Sequence, residues 1–147
     1  MTTPSDYAAS RIREVRRLRN MSTSDLAARC AGLGVPRITM AVIENIENGR
    51  RNLEGQRRRT VSVDELMVIA LALNCPPLYL LIPPEDMDQP YPLTPTEVLN
   101  RRYVAEWFSG TGPILPRMAP AGETRKYYAE LPDERFETML AVSYPTA

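Results

Sequence analysis

Apolar residues recur at helical spacing along the first eighty residues of the chain. Between Asp6 and Arg19, the residues Ile12, Val15 and Leu18 lie three apart, and arginines fill most of the intervening positions. An apolar residue at every third or fourth position places the apolar side chains on one face of a helix. The pattern therefore predicts an amphipathic first helix.

Capping residues mark the starts of the second and fourth helices. Ser22 is followed three residues later by Asp25, and Ser62 by Glu65. This is the spacing of a capping box, in which a hydroxyl and an acid satisfy free N–H groups at the helix start. The second helix carries an apolar stripe that ends at Cys30, and the fourth is strongly apolar.

The third helix is predicted from Thr39 to Asn48. Threonine is a common helix cap, and Gly49 after the helix supplies a residue that readily adopts the left-handed conformation of a helix stop. Ile43 and Ile46 are spaced to point inward. The other side chains of this helix are then left for solvent or a partner.

The chain changes character after the fourth helix. Pro76 and Pro77 precede a short fifth helix, and residues 84–95 are rich in proline and acid without an apolar period, which predicts a stiff, extended linker. Thr94 and Pro95 have the pattern of a capped helix start, and residues 133–142 are a further helix candidate.

These patterns predict an all-α protein in three parts. Residues 1–83 form a five-helix domain, residues 84–95 the proline-rich acidic linker, and residues 96–147 a small, mainly helical C-terminal region. A chain of 147 residues with 44% apolar and 24% charged residues is typical of a folded globular protein.

The net charge of zero conceals an asymmetry between the two parts of the chain. Residues 1–60 contain twelve arginines and six acids, a net charge of +6, and residues 61–147 carry −6. A basic part joined to an acidic part indicates that only the first part meets a polyanion. The alternative is chance segregation on two solvated surfaces.

Several function classes are disfavoured by composition. The chain has no histidine and two widely separated cysteines, Cys30 and Cys75, which excludes common zinc spacings and favours a reducing compartment. We find no phosphate-binding glycine loop and no nucleophile beside a base, so no enzyme, metal or cofactor is predicted. The apolar runs are too short to cross a bilayer, and no secretion signal is recognisable, so a cytoplasmic protein is expected.

The order of these features is similar to that in one known family. "LRNMSTSDLAARC", "VIENIENGRR" and "VDELMVIALALNCPPLYLL" resemble the Xre/Cro/CI-type (lambda-repressor-like) helix-turn-helix family of DNA-binding regulators, over roughly residues 8–82. The resemblance implies a helix-turn-helix domain that binds double-stranded DNA with its third helix in the major groove. Two departures are an extended second helix and a long, arginine-rich loop between helices three and four.

The resemblance also implies roles for individual residues. Arg19 and Glu47 are expected to form a structural ion pair between the first and third helices. The expected DNA-binding residues lie at the start of helix two, on the exposed face of helix three and just beyond it. They are Ser22, Thr23, Arg37, Thr39, Met40, Ala41, Glu44, Asn45, Asn48, Arg50 and Arg51.

Glu44 is the unexpected residue in that set, because a negative charge repels phosphate. Three interpretations remain open: Glu44 accepts a hydrogen bond from a cytosine amino group, it lies at the rim and only weakens binding, or it orients Arg37 or another arginine. Asn45 is suited to pair with adenine.

The C-terminal region is predicted to supply an interaction surface. An apolar stripe there either packs as core or forms a dimer or partner interface, since helix-turn-helix proteins commonly bind DNA as symmetric dimers. The stripe consists of Leu99, Tyr103, Val104, Trp107 and Phe108. We expect a homodimeric transcriptional repressor of phage, mobile-element or host origin; the alternative is an antitoxin-like or adaptor module that binds protein without reading DNA.

Overall fold

The computed structural model describes residues 2–110 and 122–130. The chain forms two compact units, Met1–Ala105 and Glu106–Ala147. The elements in chain order are α1 (Pro4–Leu18), α2 (Thr23–Gly32), α3 (Met40–Asn48), α4 (Val63–Ala72), α5 (Pro77–Leu81), β1 (Pro90–Pro92), β2 (Val98–Asn100), α6 (Arg101–Phe108) and α7 (Glu123–Glu130). The described chain is mostly helical, as the sequence predicts, with one small sheet.

The predicted caps start three of these helices. Ser22 and Ser62 form complete capping boxes at α2 and α4, and the Thr39 hydroxyl accepts the Val42 N–H at 3.3 Å to start α3. The first helix begins earlier than the apolar pattern indicates, because Thr3 forms a further capping box at its start. Each cap satisfies N–H groups that would otherwise lack an acceptor.

Three helices end on the same left-handed motif. Beyond α1, α2 and α4, the residues Asn20, Gly34 and Asn74 have φ values of 54°, 85° and 52°. In each case the next N–H reaches back into the last turn, as when the Val35 N–H donates to the Cys30 carbonyl at 3.0 Å. This is the Schellman arrangement, and it gives the α2–α3 connection a defined turn.

The core of the first unit lies where the five helices meet. α1 packs against α3 and α5, α2 against α3 and α4, and α4 against α5. The predicted inward residues Ile12, Val15, Ile43 and Ile46 are buried. Leu18 is a correction: it is 65% exposed, because it lies off the α1 face that carries Ile12 and Val15.

The predicted linker is a second correction, because residues 84–105 belong to the same compact unit as α1–α5. Within them, β1 pairs with β2 in an antiparallel ribbon. The Tyr91 ring is fully buried and stacks on the Tyr7 ring, with 4.5 Å between ring centroids. Its hydroxyl donates to the Leu81 carbonyl at 3.0 Å. The observed unit boundary therefore lies after Ala105, not at residues 83–96.

The predicted helix start at Thr94 is a turn instead. The Thr94 hydroxyl accepts the Thr96 and Glu97 N–H groups at 3.3 and 3.0 Å, and the chain then continues as β2. A threonine makes the same local hydrogen bonds in a tight turn as at a helix start, so the pattern does not separate the two. The helix predicted from residue 96 begins at Arg101.

In the second unit, the apolar pattern did not predict α7. The helix candidate at residues 133–142 lies outside the described residues.

Candidate functional site

One face of α3 is exposed while the opposite face is buried. Ile43 and Ile46 are fully buried, which fixes the direction in which the other side chains point. All of the predicted binding residues on this helix are on its exposed side. They are Met40, Ala41, Glu44, Asn45 and Asn48.

Glu44 has a specific partner at the start of α2. The Thr23 hydroxyl donates to Glu44 Oε1 at 3.2 Å, so a residue from each of two consecutive helices meets on the surface. Among residues 2–110 and 122–130, Glu44 forms no ion pair with Arg37 or another arginine, so no described contact supports the third interpretation of this glutamate. One carboxylate oxygen, Oε2, carries no hydrogen bond within the same residues.

Glu47 is an internal group, and its partner differs from the predicted one. Its side chain is 3% exposed and accepts two hydrogen bonds of 2.7 Å from Nε and Nη2 of Arg16. Arg16 also donates to the Met21 carbonyl at 2.7 Å, and its bond to Glu47 raises the pKa of the guanidinium. This bidentate pair joins α1 to α3.

The predicted ion pair between Arg19 and Glu47 is therefore wrong, because the partner of Glu47 is Arg16. Arg19 is the C-terminal cap residue of α1, and its guanidinium contacts the Asn74 carbonyl at 3.4 Å. Arg16 follows Ile12 by four residues, on the buried face of α1, and so projects toward α3. That spacing is visible in the sequence and identifies the correct arginine.

Arg13 adds a second link between α1 and α3. Its Nη2 donates to the Asn48 Oδ1 at 2.9 Å, and its Nε lies 3.5 Å from the Glu47 carboxylate. Asn48, predicted as a binding residue, is thus exposed but already holds one partner. Its amide nitrogen forms no hydrogen bond within the described residues.

The start of α2 lies beside this face. The Ser22 hydroxyl accepts the Asp25 N–H, and the Asp25 carboxylate accepts the Ser22 N–H at 2.8 Å. That bond lowers the pKa of Asp25. Ser22 and Thr23 are therefore held by local bonds, and their hydroxyls point to the surface from a helix end with partial positive charge.

The arginine-rich loop after α3 is an ordered structure anchored on Asp6. Arg51 and Arg57 form an isolated β-bridge, and both donate to Asp6 Oδ1, at 3.1 and 2.9 Å. Arg57 also donates to the Ile46 carbonyl at 2.6 Å, at the end of α3. Burial works against the charge on Asp6, but the bonds from Arg57 and Thr3 outweigh it and lower its pKa.

The arginines of the basic half divide into two groups. Most are engaged by acids or carbonyls; Arg51, predicted to contact DNA, is engaged with Asp6 and the Gly55 carbonyl but stays partly exposed. Four exposed guanidinium groups form no hydrogen bond or ion pair within residues 2–110 and 122–130. They belong to Arg17, Arg37, Arg50 and Arg58.

The predicted C-terminal surface is only partly a surface. Val104 is fully buried and is a core residue, and Leu99 is half-buried. Tyr103, Trp107 and Phe108 are exposed, and the last two rings stack with centroids 5.4 Å apart. Val104 must be removed from the set because it points away from solvent.

Sequence reasoning missed Asp6, Arg16 and Arg57. Asp6 was visible as the acid of a Thr3 capping box, but its two arginine partners lie 45 and 51 residues away. Such long-range pairing leaves no local pattern.

Within the described ranges, no helix has the length and apolar character to cross a membrane. Comparison of the chain with protein-family models, with curated proteins and with solved structures finds no match.

Proposed function

We propose that the chain is a sequence-specific DNA-binding transcriptional regulator, most simply a repressor that binds its operator as a dimer. The observation that carries this proposal is the exposed face of α3, held against α2 by buried isoleucines and edged by free arginines. Two consecutive helices joined by a short turn, the second exposing its polar face, are how helix-turn-helix proteins present side chains to the major groove. The resemblance of residues 8–82 to the Xre/Cro/CI-type family supports the same assignment.

The residues on this face suit base edges. The side-chain amide of Asn45 has no hydrogen-bond partner within residues 2–110 and 122–130, and it can form paired hydrogen bonds with adenine. Met40 and Ala41 provide apolar contact for a thymine methyl group. Each well-made pair of hydrogen bonds discriminates against a wrong base by ~1–3 kcal/mol.

Glu44 fits the same surface through its contact with Thr23. The Thr23 hydroxyl fixes one carboxylate oxygen and leaves Oε2 to accept a hydrogen bond from a cytosine amino group. A fixed carboxylate also repels phosphate and so weakens binding in general. Glu44 therefore favours binding only at a site where a base donates a hydrogen bond to Oε2. Thr23 thus orients Glu44 toward base readout.

Phosphate contacts come from the ends of the same element. Arg37 precedes the Thr39 cap, and Arg50 follows Gly49; both guanidinium groups are free among the described residues. Affinity falls as salt rises, and each phosphate that an arginine neutralises steepens the fall of log affinity against log salt concentration by ~0.9.

The test is a binding titration with duplex from the chain's own upstream region, at several salt concentrations. Asn45→Ala should relax selectivity at one base pair, and Arg50→Ala should weaken binding to all sequences alike. Gln89→Ala, which removes an exposed amide on the segment before β1, is the matched control and should change neither. Absence of binding even at low salt would refute the proposal.

A second candidate is a protein-interaction module of the antitoxin or adaptor kind. The observation that favours it is the exposed, stacked pair of Trp107 and Phe108, since aromatic residues are enriched at protein interfaces. This candidate predicts that DNA binding is absent and that Asn45→Ala has no effect on function in the cell.

A further inference from the structure

The segment after α3 folds into a short antiparallel hairpin, residues 50–58, which we call the arginine hairpin. Arg51 and Arg57 form its β-bridge, and the Arg58 N–H donates to the Arg50 carbonyl at 2.8 Å. These two contacts share one register, in which Arg50 lies opposite Arg58 and Arg51 lies opposite Arg57. The arginine hairpin thus carries two cross-strand pairs of arginines.

The two pairs face opposite sides of the hairpin, because neighbouring residues of a strand alternate in direction. Arg51 and Arg57 are on the inner side, where both donate to Asp6 of α1. Arg57 also donates to a carbonyl of α3, so the hairpin is fixed to two helices. Arg50 and Arg58 accordingly form an outer pair that points away from α1, and both residues are exposed.

The outer pair holds two positive charges without a partner. Neither guanidinium forms a hydrogen bond or ion pair within residues 2–110 and 122–130. Opposite residues of an antiparallel pair have Cα atoms ~4.5–5.5 Å apart, and like charges so placed destabilise the ribbon. The inner pair relieves the same repulsion through Asp6. An anion from outside the chain would do the same for the outer pair.

The position of the outer pair favours a phosphate of the DNA backbone as that anion. Arg50 follows Gly49, the residue that ends α3, so the pair lies beside the helix proposed to read bases. Phosphate contacts hold a protein in register on a duplex while other side chains read base edges. Glu54, the acid of the hairpin, is in its turn, so the contact is at the base of the hairpin and not at its tip.

We propose that Arg50 and Arg58 bind two adjacent phosphates of one DNA strand, since two guanidinium groups that repel each other reach two anions more readily than one. Asp6 holds the hairpin in place for this contact through the inner pair. The inference rests on the proposed DNA binding by α3. It adds Arg58, which is not among the residues predicted from the sequence, and gives Arg51 an anchoring role instead of a phosphate contact.

The first measurement is the affinity of the full chain for duplex DNA from its own upstream region, at several salt concentrations. Arg58→Ala should weaken binding about eightfold at 0.1 M salt and reduce the fall of log affinity with log salt by ~0.9 per bound copy. The double variant, Arg50→Ala with Arg58→Ala, should reduce that fall by ~1.8. Arg17→Ala is the matched control and should change neither quantity, because it removes an exposed arginine of α1 that also has no partner among the described residues.

Arg51→Ala separates the anchoring role from a phosphate contact. Loss of one bond to Asp6 should weaken DNA binding but leave its salt dependence unchanged, because no phosphate contact is lost. Far-UV circular dichroism confirms that the variant is folded under the conditions of the titration. A salt dependence that falls as much as in Arg58→Ala would overturn the assignment of the inner and outer pairs.

Phosphate-ethylation interference locates the contact on the DNA. Ethylation of two adjacent phosphates should block binding of the wild-type chain and have no further effect on the double variant, whereas ethylation at other contacted phosphates should still interfere. An interference pattern that is identical for the two proteins would overturn the proposal.

The outcomes distinguish this inference from the proposed function. Selective binding that Asn45→Ala relaxes, with an Arg58→Ala variant that behaves like Arg17→Ala, would overturn the phosphate contact and leave the proposed function standing. Binding without selectivity, with a salt dependence that falls in the double variant, would support the phosphate contact and refute sequence-specific readout. A chain that binds no duplex at low salt would overturn both.

Discussion

The pairing of Arg16 with Glu47 makes a quantitative prediction about stability. Arg16→Ala removes both 2.7 Å bonds and leaves a carboxylate that is only 3% exposed without its main partner. Breaking a buried ion pair on one side costs ~3–5 kcal/mol. Arg13, 3.5 Å away, offsets part of the loss, so we expect the low end, about 3 kcal/mol. This is a large fraction of the total stability of a domain, ~5–15 kcal/mol.

Urea denaturation followed by far-UV circular dichroism measures this loss, since urea leaves ion pairs unscreened. With a slope of ~2 kcal/mol per molar urea, the midpoint should fall by about 1.5 M. Arg19→Ala is the matched control: it removes an exposed arginine of the same helix end, and its cost should stay below ~0.5 kcal/mol. Replacement of both partners, by Arg16→Met with Glu47→Leu, should recover most of the stability, because no charge is left buried.

The assignment of Arg16 as the main partner of Glu47 is refuted if Arg19→Ala costs as much as Arg16→Ala. It is also refuted if Arg16→Ala and the double replacement are equally destabilised, since the cost would then come from lost packing and not from an unpaired carboxylate.

Three further predictions concern the loop and its anchor. Gly49→Ala should lower the thermal unfolding midpoint by more than Gly55→Ala. Both glycines have positive φ, but a Cβ at Gly49 would lie 2.5 Å from the Arg57 guanidinium, whereas a Cβ at Gly55 would face open space. Asp6 has a pKa below its ordinary 3.8, so its stabilising effect is present above that value and is lost as the pH falls through the lower folded pKa. The difference in unfolding free energy between wild type and Asp6→Asn should accordingly shrink below about pH 4, and a difference that is constant down to pH 2 would contradict this. Arg50→Ala should reduce the salt slope of DNA binding by ~0.9 per bound copy, whereas an unchanged slope would show that Arg50 makes no phosphate contact.

The sequence predicts the helical elements where the determinants are local. Ser22, Thr39 and Ser62 start helices because each hydroxyl accepts the N–H of the residue three positions later, within its own segment. The exposed face of α3 follows equally from the spacing of Ile43 and Ile46. For the same reason, the candidate binding residues on that helix could be identified before the structure.

Other features depend on which distant segment meets which. Thr94 makes capping bonds of the same kind as the helix starts, but the chain beyond it pairs with β1, and so the segment becomes a turn and a strand. The proline-rich segment before Thr94 does not extend into solvent, because the buried Tyr91 ring stacks on Tyr7. Neither partner can be recognised from the local sequence.

Several partners of α1 lie more than fifty residues later in the sequence, and this affects how the chain folds. Arg11 Nε donates to the Tyr79 carbonyl across 68 residues, and the Val61 N–H donates to the Ser5 hydroxyl across 56. The Tyr7 ring stacks on the ring of the much later Tyr91. Because these contacts join residues far apart in sequence, they form slowly and late. During synthesis, α1 emerges before the elements that cover it and is therefore among the last of the described helices to be fully packed. Until α3 and α5 are made, its apolar face is open to other chains or to chaperones, and Tyr7 stays uncovered until the ribbon forms.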